Sequence, residues 1–426
     1  MGNKTKHINK FALLFNGFGN QKQRVKKSFG SGIGFGTPQN VVDTAFKMTI
    51  DTTLSGSASD TFILPAGNIG TYDAVIDWGD GSTSNITAYN DADLTHIYSV
   101  GGIYTIKING SFPYINFSFG GDKLKAISID NWGTNQWLSM QQSFGGCENL
   151  SIPATDVPDF SLCTSFYRAF NQCYSLGALS KTSQWDMSSA TSIRSIFDNC
   201  GVSGHLDLSG WDLSSCVSIS LGSFPFISNA SITSIDVSGW TLRPAGVALS
   251  NFINNCDSLT SITGINTWIN TSALSSFNSV VLLCSSITSV DFSGMDLSGS
   301  SNLSTMLYIN ASLSSVDLSN ITLKNTGTIT LNSALYLNNS GGICDIVGLD
   351  TWDISVVNNY TSFMSGTKIT TLEYDKLLIS WDAQDAVDSE SVNFGLSQYT
   401  LGGTAEAARA NLITTDLWTI TDGGGI

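Results

Sequence analysis

Carboxylates and thiols recur in this chain at fixed spacing, and they bound the chemistry it can do. Asp207, Asp236, Asp291 and Asp317 each sit second in a run of one kind: Leu206-Asp-Leu-Ser-Gly-Trp211, Ile235-Asp-Val-Ser-Gly-Trp240, Val290-Asp-Phe-Ser-Gly-Met295 and Val316-Asp-Leu-Ser-Asn-Ile321. Where such runs stack as neighbouring strands, the carboxylates stand about 4.8 Å apart. Like charges that close belong in water, which screens them. The row is therefore either a solvated, serine-bonded strand face or a binding face that bridges cations or sugars. Asp77 and Asp80, in Asp77-Trp-Gly-Asp-Gly-Ser82, offer the one other candidate. Carboxylates in a glycine turn suit calcium, and they equally suit hydrogen bonds to the turn's own backbone.

The thiols keep a register of their own. Cys147, Cys173, Cys200, Cys256 and Cys284 are spaced 26, 27, 56 and 28 residues apart. No CxxC pair occurs, and His7, His96 and His205 are the only histidines. Metal ligation is thus poorly served. Small apolar fillers in a stacked core fit better, with disulfides between neighbouring layers as the alternative. The chain holds no GxSxG, HExxH or P-loop motif, and carboxylate pairs mean little where Asp is so common. The expectation is no enzyme activity, no metal site and no cofactor, with calcium at Asp77 and Asp80 the sole candidate.

The elements that position these residues follow a period. Trp132, Trp185, Trp211, Trp240, Trp268 and Trp352 are separated by 53, 26, 29, 28 and 84 residues, and Met295 and Ile321 fill the two positions missing before Trp352. A fixed period of this size means stacked structural units. Within each unit apolar residues alternate with Asp and Ser, the pattern of a half-buried strand, and Gly or Asn then turns the chain. A second segment carries Phe and Cys inward: Phe144 with Cys147, Phe170 with Cys173, Phe197 with Cys200 and Phe252 with Cys256.

The signature Trp-Asp-x-Ser, then Phe-x-x-Cys, then x-Ser-Leu, as in Phe170-Asn-Gln-Cys-Tyr-Ser-Leu176, resembles the BspA-like leucine-rich repeats, especially those of mycoplasma surface lipoproteins. The resemblance covers residues 120–372. It implies a repeat solenoid and a habit of occurring on cell-surface and virion-surface proteins, and it implies no activity. Residues 43–119, with the Trp78-Gly-Asp-Gly turn, His96-Ile-Tyr98 and Gly101-Gly-Ile-Tyr-Thr-Ile-Lys-Ile108, resemble a PKD-type immunoglobulin-like sandwich. Residues 373–426 read as an α/β cap with two short helices, one around Tyr374–Trp381 and one over 404–413 with Thr404 at its cap. This tail resembles the terminal unit of similar repeat proteins from Bacteroidetes and their phages. The expected fold class is mainly β: sandwich, solenoid, small α/β cap.

Charge divides the chain unevenly. Residues 1–42 hold seven basic residues and no acid, whereas the remainder holds 12 basic and 34 acidic residues, a net of −22. The acids are almost all Asp, 30 against 4 Glu, which favours turns over helices. A body this acidic does not bind nucleic acid. The basic, Gly-rich arm is either a disordered tail or a docking segment. In the second case Lys22, Arg24, Lys26 and Lys27 supply charge, and Phe11 and Phe15 supply apolar contact. The stretch Phe11-Ala-Leu-Leu-Phe15 is too short for a signal-peptide core or a membrane span. Phage proteins reach the outside by lysis and need no export signal. The expected function is therefore a bacteriophage virion structural protein, a head fibre, decoration or tail-associated protein, displaying an adhesive module on the virion surface. Its expected partners are other virion proteins or further copies of itself through the arm, and a host-surface glycan or protein. The alternative is an adhesin on a bacterial cell surface.

Overall fold

Alternating burial sets the first strands. In β1 (Phe46–Asp51) the side chains of Phe46, Met48 and Ile50 point inward and the residues between them face out. A computed structural model describes residues 43–220, 225–339, 341–384 and 386–426. The chain divides into two units, 1–42 and 43–426. The proposed docking residues Phe11, Phe15, Lys22, Arg24, Lys26 and Lys27 lie outside the described residues.

The described part is mainly β. Its first sheet is antiparallel and is ordered β4-β3-β6-β1-β7, from β3 (Asp73–Asp77), β4 (Thr83–Ile86), β6 (Ile103–Ser111) and β7 (Ala126–Asn131). A separate pair joins β2 (Thr61–Ile63) to β5 (Thr95–Ile97). The sheet runs past residue 119, because β7 pairs with β1. Just ahead of β7, Lys125 and Asp122 are both buried, 3.8 Å apart. The Lys125 ammonium donates to the carbonyls of Ser57, Ala58 and Thr61. Asp122 accepts from the backbone of Ser57 and Ile63. Each buried charge is thereby solvated by the loop on the other side of the seam.

Beyond β7 the pairing turns parallel. Ser203–Asp207, Ser231–Asp236 and Ser261–Thr263 form one three-stranded sheet. Ser289–Asp291, Ser315–Asp317, Ile343–Val347 and Lys368–Ile369 form another. A further sheet runs through Ile227–Ser228, Ile253–Asn254, Val281–Leu282 and Leu307–Tyr308. Partners in these ladders come from successive copies of the sequence period.

Aromatic columns fill the interior. Trp211 stacks on Trp240 at 5.8 Å and Trp240 on Trp268 at 5.0 Å, nearly coplanar. Phe170 likewise lies between Phe144 and Phe197 at 5.8 and 5.9 Å. Each indole N–H needs an acceptor when buried. Those of Trp211, Trp240 and Trp268 find the carbonyls of Thr182, Leu208 and Val237 in the preceding layer. All eight cysteines are buried and free, the five in register together with Cys163, Cys216 and Cys344.

The far end carries α1 (Thr371–Asp382) and α2 (Thr404–Thr414). Thr370 caps α1, its hydroxyl accepting from the Glu373 N–H. The expected cap at Thr404 is corrected: Gly403 is the cap residue and Thr404 already has helical backbone. The first turn of α2 is tied down instead by Glu406, whose carboxylate accepts from the Gly402 N–H. Among the described residues no helix is long and apolar enough to cross a membrane.

Candidate functional site

The four aspartates singled out by sequence are brought together as two pairs. Asp207 is the register partner of Asp236, and Asp291 of Asp317, while Thr263 stands on the other side of Asp236. Each carboxylate turns back on its own chain and accepts from the N–H two residues on, at Ser209, Ser238, Ser293 and Ser319. These are Asx turns, and they hold the corner that follows each strand. Asp186, Asp212 and Asp353 do the same at the second corner of their repeats. Asp207 is held below the usual carboxylate range: burial opposes the charge, and hydrogen bonds from Ser209 outweigh it.

Asp77 and Asp80 are also engaged. Asp77 accepts from the Gly79 N–H and pairs with Lys107 at 3.2 Å. Gly79 has φ +83, and a Cβ there would meet the Thr105 carbonyl at 2.7 Å, so this turn requires glycine. Asp80 accepts from the Ser82 backbone and hydroxyl and from His96 Nε2 at 2.9 Å. His96 in turn stacks on Trp78 at 4.8 Å. Burial works against the Asp80 charge, but the hydrogen bonds from Ser82 and His96 hold its pKa down to about 2. Among the described residues no group of three or more His, Cys, Asp or Glu could hold a metal ion.

A groove of about 450 Å³ offers another candidate, with Phe119, Arg168, Asp198 and Asn199 among its lining residues. Gln172, Asn199 and Asn229 of its lining belong to a row of backbone kinks, one per layer, at the residue just before the cysteine position. Gln172, Asn199, Asn229 and Asn255 all have left-handed φ, between 50° and 58°. Asn tolerates this conformation better than most side chains. Stacking fixes it, since the Gln172, Asn229 and Asn255 N–H groups donate to the carbonyls of Asp198, Asn254 and Leu282 in the next layer. The amides then form a comb. Asn255 donates to Asn229, Asn229 donates to Asn199 at 3.2 Å, and Asn199 reaches the Tyr174 hydroxyl at 3.4 Å. Tyr174 is half exposed.

The other end of the groove is aromatic and cationic. Phe119 adopts φ +62 immediately after Ser118 at φ +46. Two successive non-glycine residues in this region are strained, and such strain collects at working sites. Phe119 lies against Gly145, where a Cβ would come within 2.8 Å of the ring. The Arg168 guanidinium stands 5.9 Å from the Phe119 ring and 5.2 Å from that of Tyr167. Arg194 lies 4.5 Å from the same Tyr167 ring. Asp198 also lines the groove, accepting from Asn171 at 2.9 Å and from Ser228. Burial pushes its pKa up, opposed by those two bonds and by Arg168.

A second, shallower hollow of about 410 Å³ lies beside α1. Its polar groups serve the fold: Gln384 bonds Ile354 and Trp352, Ser380 the Asp350 carbonyl, and Asp353 the Ser355 backbone. The first groove is therefore the better candidate. Sequence reasoning did not single it out, although a signal was there. Arg168 and Arg194 are two of only three arginines between residues 120 and 372, and an amide precedes Cys173, Cys200 and Cys256.

Residues 115–240 match the model of a family described as mycoplasma protein of unknown function, DUF285. That match is consistent with BspA-type repeats in this part of the chain. No curated protein and no solved structure matches the chain.

Proposed function

We propose that this protein is an adhesive binding scaffold and not an enzyme, and that the groove from Phe119 to Asn229 is where it holds its ligand. The observation that carries this reading is the comb of amides on left-handed backbone, closed at one end by Arg168 and the Phe119 ring. It offers many donors and acceptors across several layers, as recognition of an extended, hydroxyl-rich chain requires. Residues 120–372 are read as a BspA-like solenoid, supported by the parallel ladders and the family match. Residues 43–119 are read as a PKD-like sandwich, supported by the antiparallel sheet and the Asp77–Ser82 turn, and residues 373–426 as a cap.

The setting proposed is a phage virion, with the arm attaching the protein to other virion proteins or further copies and the repeats facing the host. A bacterial cell surface is the alternative. The charge contrast between residues 1–42 and the acidic remainder supports a separate attachment segment. The test is adhesion of the purified, fluorescently labelled chain to intact bacteria. The wild type should decorate cells, and Asn199→Ala with Asn229→Ala should reduce decoration at least tenfold while melting unchanged. Equal decoration by both would remove the groove from the adhesive reading.

A further inference from the structure

Two charged residues line the groove, Arg168 and Asp198, and the fold engages both. Asp198 receives hydrogen bonds from Asn171 and Ser228, and Arg168 has partners of its own within the protein. The capacity left over is uncharged. Among the described residues the side-chain amide of Gln172, which lines the groove and is partly exposed, has no hydrogen-bond partner. A primary amide offers two N–H donors and two acceptor lone pairs. Asn199 uses one of each in the comb, accepting from Asn229 and donating to the Tyr174 hydroxyl. Asn229 accepts from Asn255 alone and so keeps an acceptor site. Donors and acceptors therefore stand side by side along the groove. A hydroxyl both donates and accepts and can serve such a mixture, whereas a carboxylate only accepts. An anion would also meet a body, residues 43–426, whose net charge is −22. Phe119 adds a partly exposed ring to the lining, seated against Gly145, and an aromatic face suits the apolar side of a sugar.

We propose that the groove binds an uncharged oligosaccharide, its hydroxyls held by Gln172, Asn199 and Asn229 and one sugar ring packed on Phe119. This rests on the adhesive reading of the groove and names its ligand class. The amides advance one per layer, about 4.8 Å at a time, a step of the order of a pyranose ring. An extended peptide rises about 3.3 Å per residue and runs out of step with the layers.

The experiment titrates the full chain in calorimetry with maltohexaose, cellohexaose, laminarihexaose, mannohexaose and N-acetylchitohexaose, beside hexagalacturonate as the charged control. At least one uncharged sugar should bind tenfold or more tightly than hexagalacturonate, with an affinity that salt leaves unchanged. Gln172→Ala and Phe119→Ala should each weaken that binding at least fivefold. Melting curves report whether the fold is kept. Gln172 is the safer site, since its amide bonds nothing else, and its variant decides the matter if Phe119→Ala unfolds. An uncharged sugar that binds Gln172→Ala and the wild type alike is held elsewhere, which overturns the proposal. If hexagalacturonate binds best, or if no uncharged sugar binds while cells are still decorated through Asn199 and Asn229, the uncharged ligand is wrong and the adhesive groove stands. Decoration lost on protease treatment of the cells and kept after periodate treatment would likewise replace the sugar with a protein. If decoration is indifferent to the groove variants and no sugar binds, both readings fall.

Discussion

At the residue scale, most of the chain's polar chemistry is directed inward, to its own backbone. The abundance of Asp has its reason here: a carboxylate two residues ahead of an N–H closes a corner, as at Asp207, Asp212 and Asp236. Asp80 takes it furthest, and its depressed pKa has a measurable consequence. A carboxyl whose folded pKa lies below the unfolded value of 3.8 contributes stability above that value and loses it as pH falls toward about 2. The melting temperature of the wild type should therefore drop more between pH 4 and pH 2 than that of Asp80→Asn. Parallel pH curves for the two would show that Asp80 makes no such contribution. Four of the buried thiols behave in the opposite sense. Burial raises the pKa of Cys163 to about 12 and of Cys216 to about 11, and pushes Cys173 and Cys200 up as well. Since the thiolate is the reactive form, alkylation of the native protein should be slower by orders of magnitude than after unfolding. Rapid labelling of Cys173 or Cys200 in the folded state would contradict their burial.

At the scale of elements, the period was legible and the groove was not. Spacings of 26 to 29 residues in Trp and Cys reappear as the offsets between register partners such as Asp207 and Asp236, or Asp291 and Asp317. Periodicity is a one-dimensional property that stacking preserves. The amide comb is different. Gln172, Asn199, Asn229 and Asn255 share a backbone conformation, and nothing in an isolated Asn-Cys pair announces a left-handed φ. Phe119 depends on Gly145, twenty-six residues away, for the space its ring occupies. Likewise the seam at residue 119 looked like a change of composition, whereas the structure threads hydrogen bonds across it. Lys125 and Asp122 are the test of that seam. Removing one member of a buried, fully bonded pair leaves the other charge stranded, so Lys125→Met should cost about 3–5 kcal/mol. Chemical denaturation would measure it, and a loss under 1 kcal/mol would mean that water reaches Asp122.

At the scale of the whole molecule, the basic residues of the arm and the acidic remainder suggest two jobs in one chain. Lys22, Arg24, Lys26 and Lys27, with Phe11 and Phe15, are the proposed contacts of the first. Deleting residues 1–36 should leave the melting temperature of the remainder unchanged and abolish incorporation into particles or oligomers. Normal incorporation of the truncated chain would remove the attachment role.

The row of kinks before the cysteine position has a bearing on ancestry. The same left-handed turn recurs at Gly146, Gln172, Asn199, Asn229, Asn255, Leu283 and Ile309, so one backbone conformation is occupied by five kinds of side chain. The conformation belongs to the stack, and the side chain is free to vary. An in-frame duplication of one period would thus add one letter to the row without rewriting its neighbours, and a point mutation would change one letter without disturbing the line. A lineage facing a receptor that drifts can follow it by such edits while inheriting the same fold.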